Sequence, residues 1–234
     1  MEEILNKEVK EATKKKFDED LENKVRLVFF TQEPKRLIVP EYLKGQECLF
    51  CKETRQLLTE VCSLSEKIGL EIFDFQGDKE MASVYGIDKI PATVVLSEKD
   101  YGLRFFGIPS GYEYTSLVEA IIDVSKGKTN LSQNTKEALK AIQMDIHIQV
   151  FVTATCPYCT MAVRFGHQFA LECEWIKADM IESTEFPHLA QKYSVFGVPK
   201  TIINETISID GAVPEETFLE NVLKAKTRES KGSK

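Results

Sequence analysis

Apolar positions along the 234-residue chain change their period many times, and each change predicts an element. Residues 1–24 are rich in Lys and Glu, with Ile4, Leu5, Val9 and Phe17 loosely at helical spacing, so a helix ending before Lys24 is expected. Residues 25–30 (VRLVFF) are mostly apolar β-formers, the pattern of a strand covered on both faces. Residues 31–47, with Pro34, Pro40 and Gly45, show no period and read as a long loop. Leu57, Leu58, Val61, Leu64 and Ile68 then fall at helical intervals, with Gly69 where a helix C-terminus would place it. A strand at 70–75 follows, then a short helix carrying Met81, Val84 and Tyr85, with Asp78 as its cap and Gly86 as its stop. Residues 92–96 and 103–106 read as a hairpin, and Gly107-Ile108-Pro109 leads to a helix near 111–125.

The second half repeats this programme. Residues 136–140 (KEALK) match 10–14 (KEATK), and a helix again precedes a strand, at 147–153. A helix with Met161, Phe165 and Phe169 on one face comes next, then a strand at 173–178. Phe186, Leu189, Ala190 and Tyr193 mark a short helix that Thr184 is placed to cap. A hairpin at 201–203 and 206–209 precedes a closing helix introduced by Gly211-Ala212-Val213-Pro214. Cys48, Cys51, Tyr85 and Pro91 recur as Cys156, Cys159, Tyr193 and Pro199, all at one constant offset. An offset of nearly half the chain means a duplicated domain rather than a solenoid. Each half runs α-β-α-β-α-β-β-α, so the fold class is α/β, two tandem units at 1–126 and 127–234, each a central mixed sheet flanked by helices. The polar residues 126–130 form the junction.

Composition narrows the function. With 43% apolar and 29% charged residues, the chain can bury a real core. A net charge of −7 argues against nucleic acid, which needs clustered Lys and Arg. No long apolar run suggests a membrane span. Met1-Glu2-Glu3-Ile4 lacks a signal-peptide pattern, so a cytoplasmic protein is expected. In that reducing compartment, six cysteines with two close pairs suggest catalysis or metal binding before a structural framework. The many Glu and Lys residues lean toward a thermophile composition.

The pairs are Cys48-Leu49-Phe50-Cys51 and Cys156-Pro157-Tyr158-Cys159, each followed at the same interval by a β-branched residue and a proline, Ile90-Pro91 and Val198-Pro199. At the first turn of a helix, the first sulfur meets free backbone N–H groups and the positive dipole end, which favours thiolate. Cys48 and Cys156 are therefore the expected attackers on a substrate disulfide, with Cys51 and Cys159 resolving the mixed disulfide. Pro157 stiffens the second motif while Leu49-Phe50 leaves the first unrestrained, so unequal redox potentials are expected. A cis bond at Pro91 and Pro199 would turn the backbone of Ile90 and Val198 toward an extended substrate strand.

These motifs in register resemble the protein disulfide oxidoreductase family of thermophilic archaea and bacteria, built from two fused thioredoxin/glutaredoxin-like units. Cys156-Pro157-Tyr158-Cys159 carries the dipeptide typical of glutaredoxins, and Val198-Pro199 matches the family's cis-proline segment. The resemblance implies dithiol–disulfide exchange on protein substrates, with reductase, oxidase and isomerase activities, and electrons from a thioredoxin-reductase-type flavoprotein. Two departures stand out. The first unit carries the long 31–47 insertion, and Val150 occupies the place where thioredoxins keep a buried, proton-accepting aspartate.

Other readings compete. Four cysteines are a zinc set, but zinc pairs lie about 15–20 residues apart, far closer than Cys51 and Cys156; no metal is expected. A peptide-binding chaperone, or a relay from a flavoprotein to a peroxidase, would use the same surfaces. No Gly-x-Gly-x-x-Gly segment builds in a flavin or nicotinamide site, so no cofactor is expected beyond the cysteines. Cys62 and Cys173 read as buried apolar residues, Trp175 as core, and His147, His167 and His188 as surface or strand-end residues. Asp74 and Asp179 read as solvated strand ends, with proton transfer as their sharper role. Phe50 and Tyr158 either contact substrate or shield the site from water.

Overall fold

The computed structural model describes residues 3–32 and 48–232, with side-chain environments to residue 225. Eight helices and eight strands alternate within them: α1 (Lys7–Asp20), β1 (Val25–Thr31), α2 (Cys51–Cys62), β2 (Ile68–Asp74), α3 (Lys79–Tyr85), β3 (Ala92–Leu96), β4 (Asp100–Phe106), α4 (Glu113–Lys126), α5 (Gln133–Lys140), β5 (Ile146–Val152), α6 (Cys159–Glu172), β6 (Ile176–Glu182), α7 (Pro187–Lys192), β7 (Lys200–Ile203), β8 (Ile207–Asp210) and α8 (Glu215–Gly232). The strands form one continuous sheet ordered β2-β1-β3-β4-β6-β5-β7-β8. Each half thus supplies four adjacent strands, and the halves meet where β4 and β6 pair in parallel, from Leu103 with Ala178 to Phe106 with Ile181.

Strand period decides which residues face which layer. In β1, Leu27 and Phe29 join the larger core beneath α2, α4 and α6, while Val28 and Phe30 join the opposite core with Ala82, Phe106, Phe151 and Phe186. All four β1 residues are fully buried, as the doubly covered pattern requires. Short polar residues fix helix starts: Asn6 accepts from Val9 N–H at α1, and Ser132 accepts from Thr135 N–H at α5.

Several local expectations shift. Gly69 does not end a helix; α2 stops at Cys62, and Gly69 lies in β2, paired with Arg26. The parallel ladder to β1 captures 68–74 and overrides the helical spacing of Ile68. In the second half, Cys173 closes α6, and the strand begins at Ile176 rather than 173. That places Trp175 in the connecting turn, 40% exposed, rather than in the core. Neither expected cap works as a cap. The Asp78 carboxylate accepts from Asp74 N–H, and Thr184 donates its hydroxyl to the Glu182 carboxylate, so both carboxylates pin loops instead. Of the expected loop at 31–47, Thr31 closes β1 and residues 33–47 lie outside the described residues. Among the described residues, no helix is long and apolar enough to cross a membrane.

Candidate active sites

Both cysteine pairs are closed as disulfides, with Cα atoms 5.5 Å apart in each. Cys51 and Cys159 are the first residues of α2 and α6, so the motif's leading cysteine stands just ahead of each helix, where unpaired N–H groups and the dipole favour an anionic sulfur. The four sulfurs differ in access. Cys159 is wholly buried and Cys156 is 8% exposed. In the first motif, Cys51 is buried and Cys48 partly exposed. In each motif the leading cysteine is the less buried of the two.

The Ile90–Pro91 and Val198–Pro199 peptide bonds are both cis. In the second half, the Val198 carbonyl oxygen lies 3.7 Å from Cys156 Sγ, which brings cysteine and cis-proline segment together. Tyr158 is 70% exposed beside them. In the first half, Leu49 and Phe50 are exposed, Cys48 N–H donates to the Gln32 side chain at 3.1 Å, and Pro91 follows the partly buried Ile90.

Each site is braced by the opposite half through residues 107–112. At one end, Gly107 N–H donates to the Pro91 carbonyl at 2.9 Å, and Ile108 N–H donates to Glu185 Oε1 at 2.6 Å. At the other, Tyr112 N–H donates to the Ala154 carbonyl at 2.9 Å, two residues before Cys156. Directly after this strap comes Glu113, 1% exposed, with neither carboxylate oxygen hydrogen-bonded among the described residues. Burial pushes its pKa up to about 7, although the nearby Ser116 hydroxyl opposes the rise. Burial likewise raises Glu185 to about 7, helped by the charges of Glu182 and Glu53 and opposed by the Ile108 N–H. Two carboxyl groups that titrate near neutrality thus sit where the halves join.

Sequence reasoning missed both. The strand position of the thioredoxin aspartate holds Val150, 1% exposed in the core. Asp179, expected in solvent, is buried and meets His147 Nε2 at 2.6 Å. His167 is no surface residue either: it is buried in α6, 3.2 Å from the Arg104 carbonyl, and burial depresses its pKa to about 4. Cys173 is buried, and burial raises the half-buried Cys62 thiol to about 12, which suits packing rather than nucleophilic work. Among the described residues, no group of three or more His, Cys, Asp and Glu side chains is arranged to hold a metal ion.

A thioredoxin domain family model matches residues 144–224. A protein disulfide oxidoreductase from Aeropyrum pernix superposes with a TM-score of 0.84 at 28% identity, covering 95% of each chain. The NTD N/C domain of alkylhydroperoxide reductase AhpF from Enterococcus faecalis gives a TM-score of 0.82 at 26% identity, covering 93% of this chain and 99% of that one. The F component of alkyl hydroperoxide reductase from Staphylococcus aureus is 26% identical over 154 residues, 65% of this chain and 28% of that protein. The chain therefore spans less than a third of the curated relatives it matches.

Fold and these likenesses place the chain among thioredoxin-fold proteins that carry paired cysteines. Within that class, its particular architecture is that of the Aeropyrum disulfide oxidoreductase and the AhpF domain, over nearly the full chain.

Proposed function

We propose that the chain is a protein dithiol–disulfide oxidoreductase of two units, 1–126 and 127–234, each with its own exchange site. The observation that carries this is the approach of the Val198 carbonyl to Cys156 Sγ at 3.7 Å, ahead of a helix that buries the partner Cys159. In the reduced protein, the Cys156 thiolate attacks one sulfur of a substrate disulfide. The substrate S–S bond breaks, one substrate sulfur leaves as thiolate, and the other is held on Cys156. Cys159, deprotonated, then attacks Cys156 Sγ, frees the second substrate thiolate and closes Cys156–Cys159. Two electrons pass to the substrate, and the reverse sequence oxidises a dithiol.

Cys48 and Cys51 act in the same way in the first unit. Ile90-Pro91 and Val198-Pro199 offer backbone to an extended substrate, while Phe50 and Tyr158 touch it. Electrons come from a thioredoxin-reductase-type flavoprotein, and the protein works in the cytoplasm on protein substrates, with no cofactor beyond its disulfides. The AhpF likeness supports a second reading, a relay in which one motif takes electrons from a flavoprotein and the other delivers them to a peroxidase.

The test is Cys48→Ser and Cys156→Ser, made separately, in insulin reduction with dithiothreitol and in reactivation of scrambled ribonuclease. Each variant is expected to lose the share of turnover that belongs to its own site. Full activity of both variants in both assays removes the two nucleophiles, and with them the reading. Activity only with a peroxidase partner selects the relay.

A further inference from the structure

Phe196 is a large apolar side chain with 97% of its surface in solvent. Its backbone is held on both sides: Val195 packs against one core and Val198 against the other. The ring is thus displayed by an anchored segment, two residues from the carbonyl that approaches Cys156 Sγ at 3.7 Å. Two further exposed aromatics belong to segments that flank Cys156 in the chain or are bonded beside it. Tyr158 lies inside the motif, and Tyr112, 51% exposed, arrives from the first half through its hydrogen bond to Ala154. Single exposed apolar residues need no explanation, but a ring displayed this fully by an anchored segment that leads into the cis-proline marks an interaction surface.

The repeat provides an internal comparison. At the position that corresponds to Phe196, the first unit has Asp88, which pairs with Lys89 at 2.5 Å. The Lys89 ammonium lies 3.7 Å from the centroid of the Phe106 ring, so the first cis-proline segment presents charge where the second presents a bare ring.

We propose that Phe196 is a specificity residue of the second site, receiving apolar side chains that flank the reacting cysteine of an extended, non-native protein segment. This rests on the exchange reading above. Once a substrate sulfur is joined to Cys156, the residues beside that cysteine lie along Val198, and the next neighbour they meet is Phe196. Apolar residues flanking a cysteine are available in an unfolded or misfolded chain and are covered in a folded one. A small disulfide has no side chain to reach the ring, and an acidic or basic segment gains nothing from it.

The experiment uses the full chain with Cys48 and Cys51 both replaced by serine, so that only the second site turns over. Reduction is measured for two disulfide peptides, one with Leu and Phe flanking its cysteines and one with Ser and Asp, and for 2-hydroxyethyl disulfide. In Phe196→Asp, the preference for the apolar over the polar peptide, as a ratio of kcat/KM values, is expected to fall about tenfold, mainly through KM. Phe196→Leu is expected to keep most of it. The reciprocal Asp88→Phe, in a chain with Cys156 and Cys159 replaced by serine, is expected to raise the same preference at the first site. An unchanged preference in Phe196→Asp overturns the proposal, as does an equal loss toward all three disulfides. If the parent chain reduces none of them, the exchange reading of the second site itself fails.

Discussion

Glu113 shows how much a single residue owes to its surroundings. In the sequence it is an ordinary acidic residue in a first helical turn, where a negative charge suits the dipole. In the fold it is buried at the start of α4, with neither oxygen hydrogen-bonded among the described residues. An unfolded glutamate titrates near 4.5 and this one near 7, so between those values the unfolded chain has released a proton that the folded one still holds. Stability therefore falls as pH rises from 4.5 through 7, and the loss is complete above 7. Its full size is about 3 kcal/mol. Glu113→Gln is expected to match the parent in urea unfolding near pH 4.5 and to exceed it by up to that amount at pH 8.5. Equal stability of the two proteins at pH 8.5 removes the buried charge as a cost.

The strap joining β4 to α4 links the two sites as an element. Gly111 holds φ at +60°, and a Cβ there would lie 2.2 Å from the Ala154 carbonyl oxygen, a backbone atom two residues from Cys156. Gly127, at the other end of α4, shares that φ, but its added Cβ would find only the Tyr101 hydroxyl at 3.8 Å. Gly127→Ala is expected to cost about 1 kcal/mol for the left-handed backbone alone. Gly111→Ala adds a clash to that strain and is expected to cost about 3 kcal/mol. It should also lower the reactivity of Cys156 toward a disulfide reagent while sparing Cys48. Urea unfolding and thiol-reaction rates on both variants check this, and equal behaviour of the two removes the strap from the second site's support. Glu185 completes the element from the other side, a second-half carboxylate on the backbone that carries the Pro91 hydrogen bond.

At the scale of the molecule, the two halves are fused through the sheet, with polar groups buried at the seam. Gln168 on α6 donates to Asp123 on α4 at 2.8 Å. Arg104 in β4, 5% exposed, bonds Asp100 and the Tyr85 carbonyl, and its register partner in β6 is Asp179. Burial disfavours a charged His147, but the carboxylate of Asp179 outweighs it and raises the imidazole above the usual 6.5. The pair's contribution to stability is therefore complete below pH 6.5 and lost as pH rises through the folded value. His167 has the opposite sign: buried and neutral, it takes a proton only near pH 4, so it costs stability as pH falls from 6.5. His147→Gln is expected to lower Tm below pH 6.5, where the pair contributes fully, and so to flatten the decline above it, while the His167-driven fall toward acid keeps its slope. Melting curves from pH 5 to 9 decide it, and an unchanged alkaline decline removes the pair's role.

The order of elements in each half, the two cysteine pairs and the cis bonds before Pro91 and Pro199 were all legible in the sequence. They depend on local period, turn chemistry and spacing, which the chain carries in its own order. Ends of elements were less so, because Ile68 and Gly69 fit a helix until a parallel neighbour claims them, and Trp175 fits a core until β6 begins one residue later. What belonged to tertiary structure alone was whatever one half does for the other. Glu113 and Glu185 titrate near neutrality because burial at the seam removes water from them, and no spacing records which chain segment will do the burying. The side-by-side pairing of β4 with β6 is likewise a contact between distant stretches, and it turns two repeated programmes into one sheet with two linked sites.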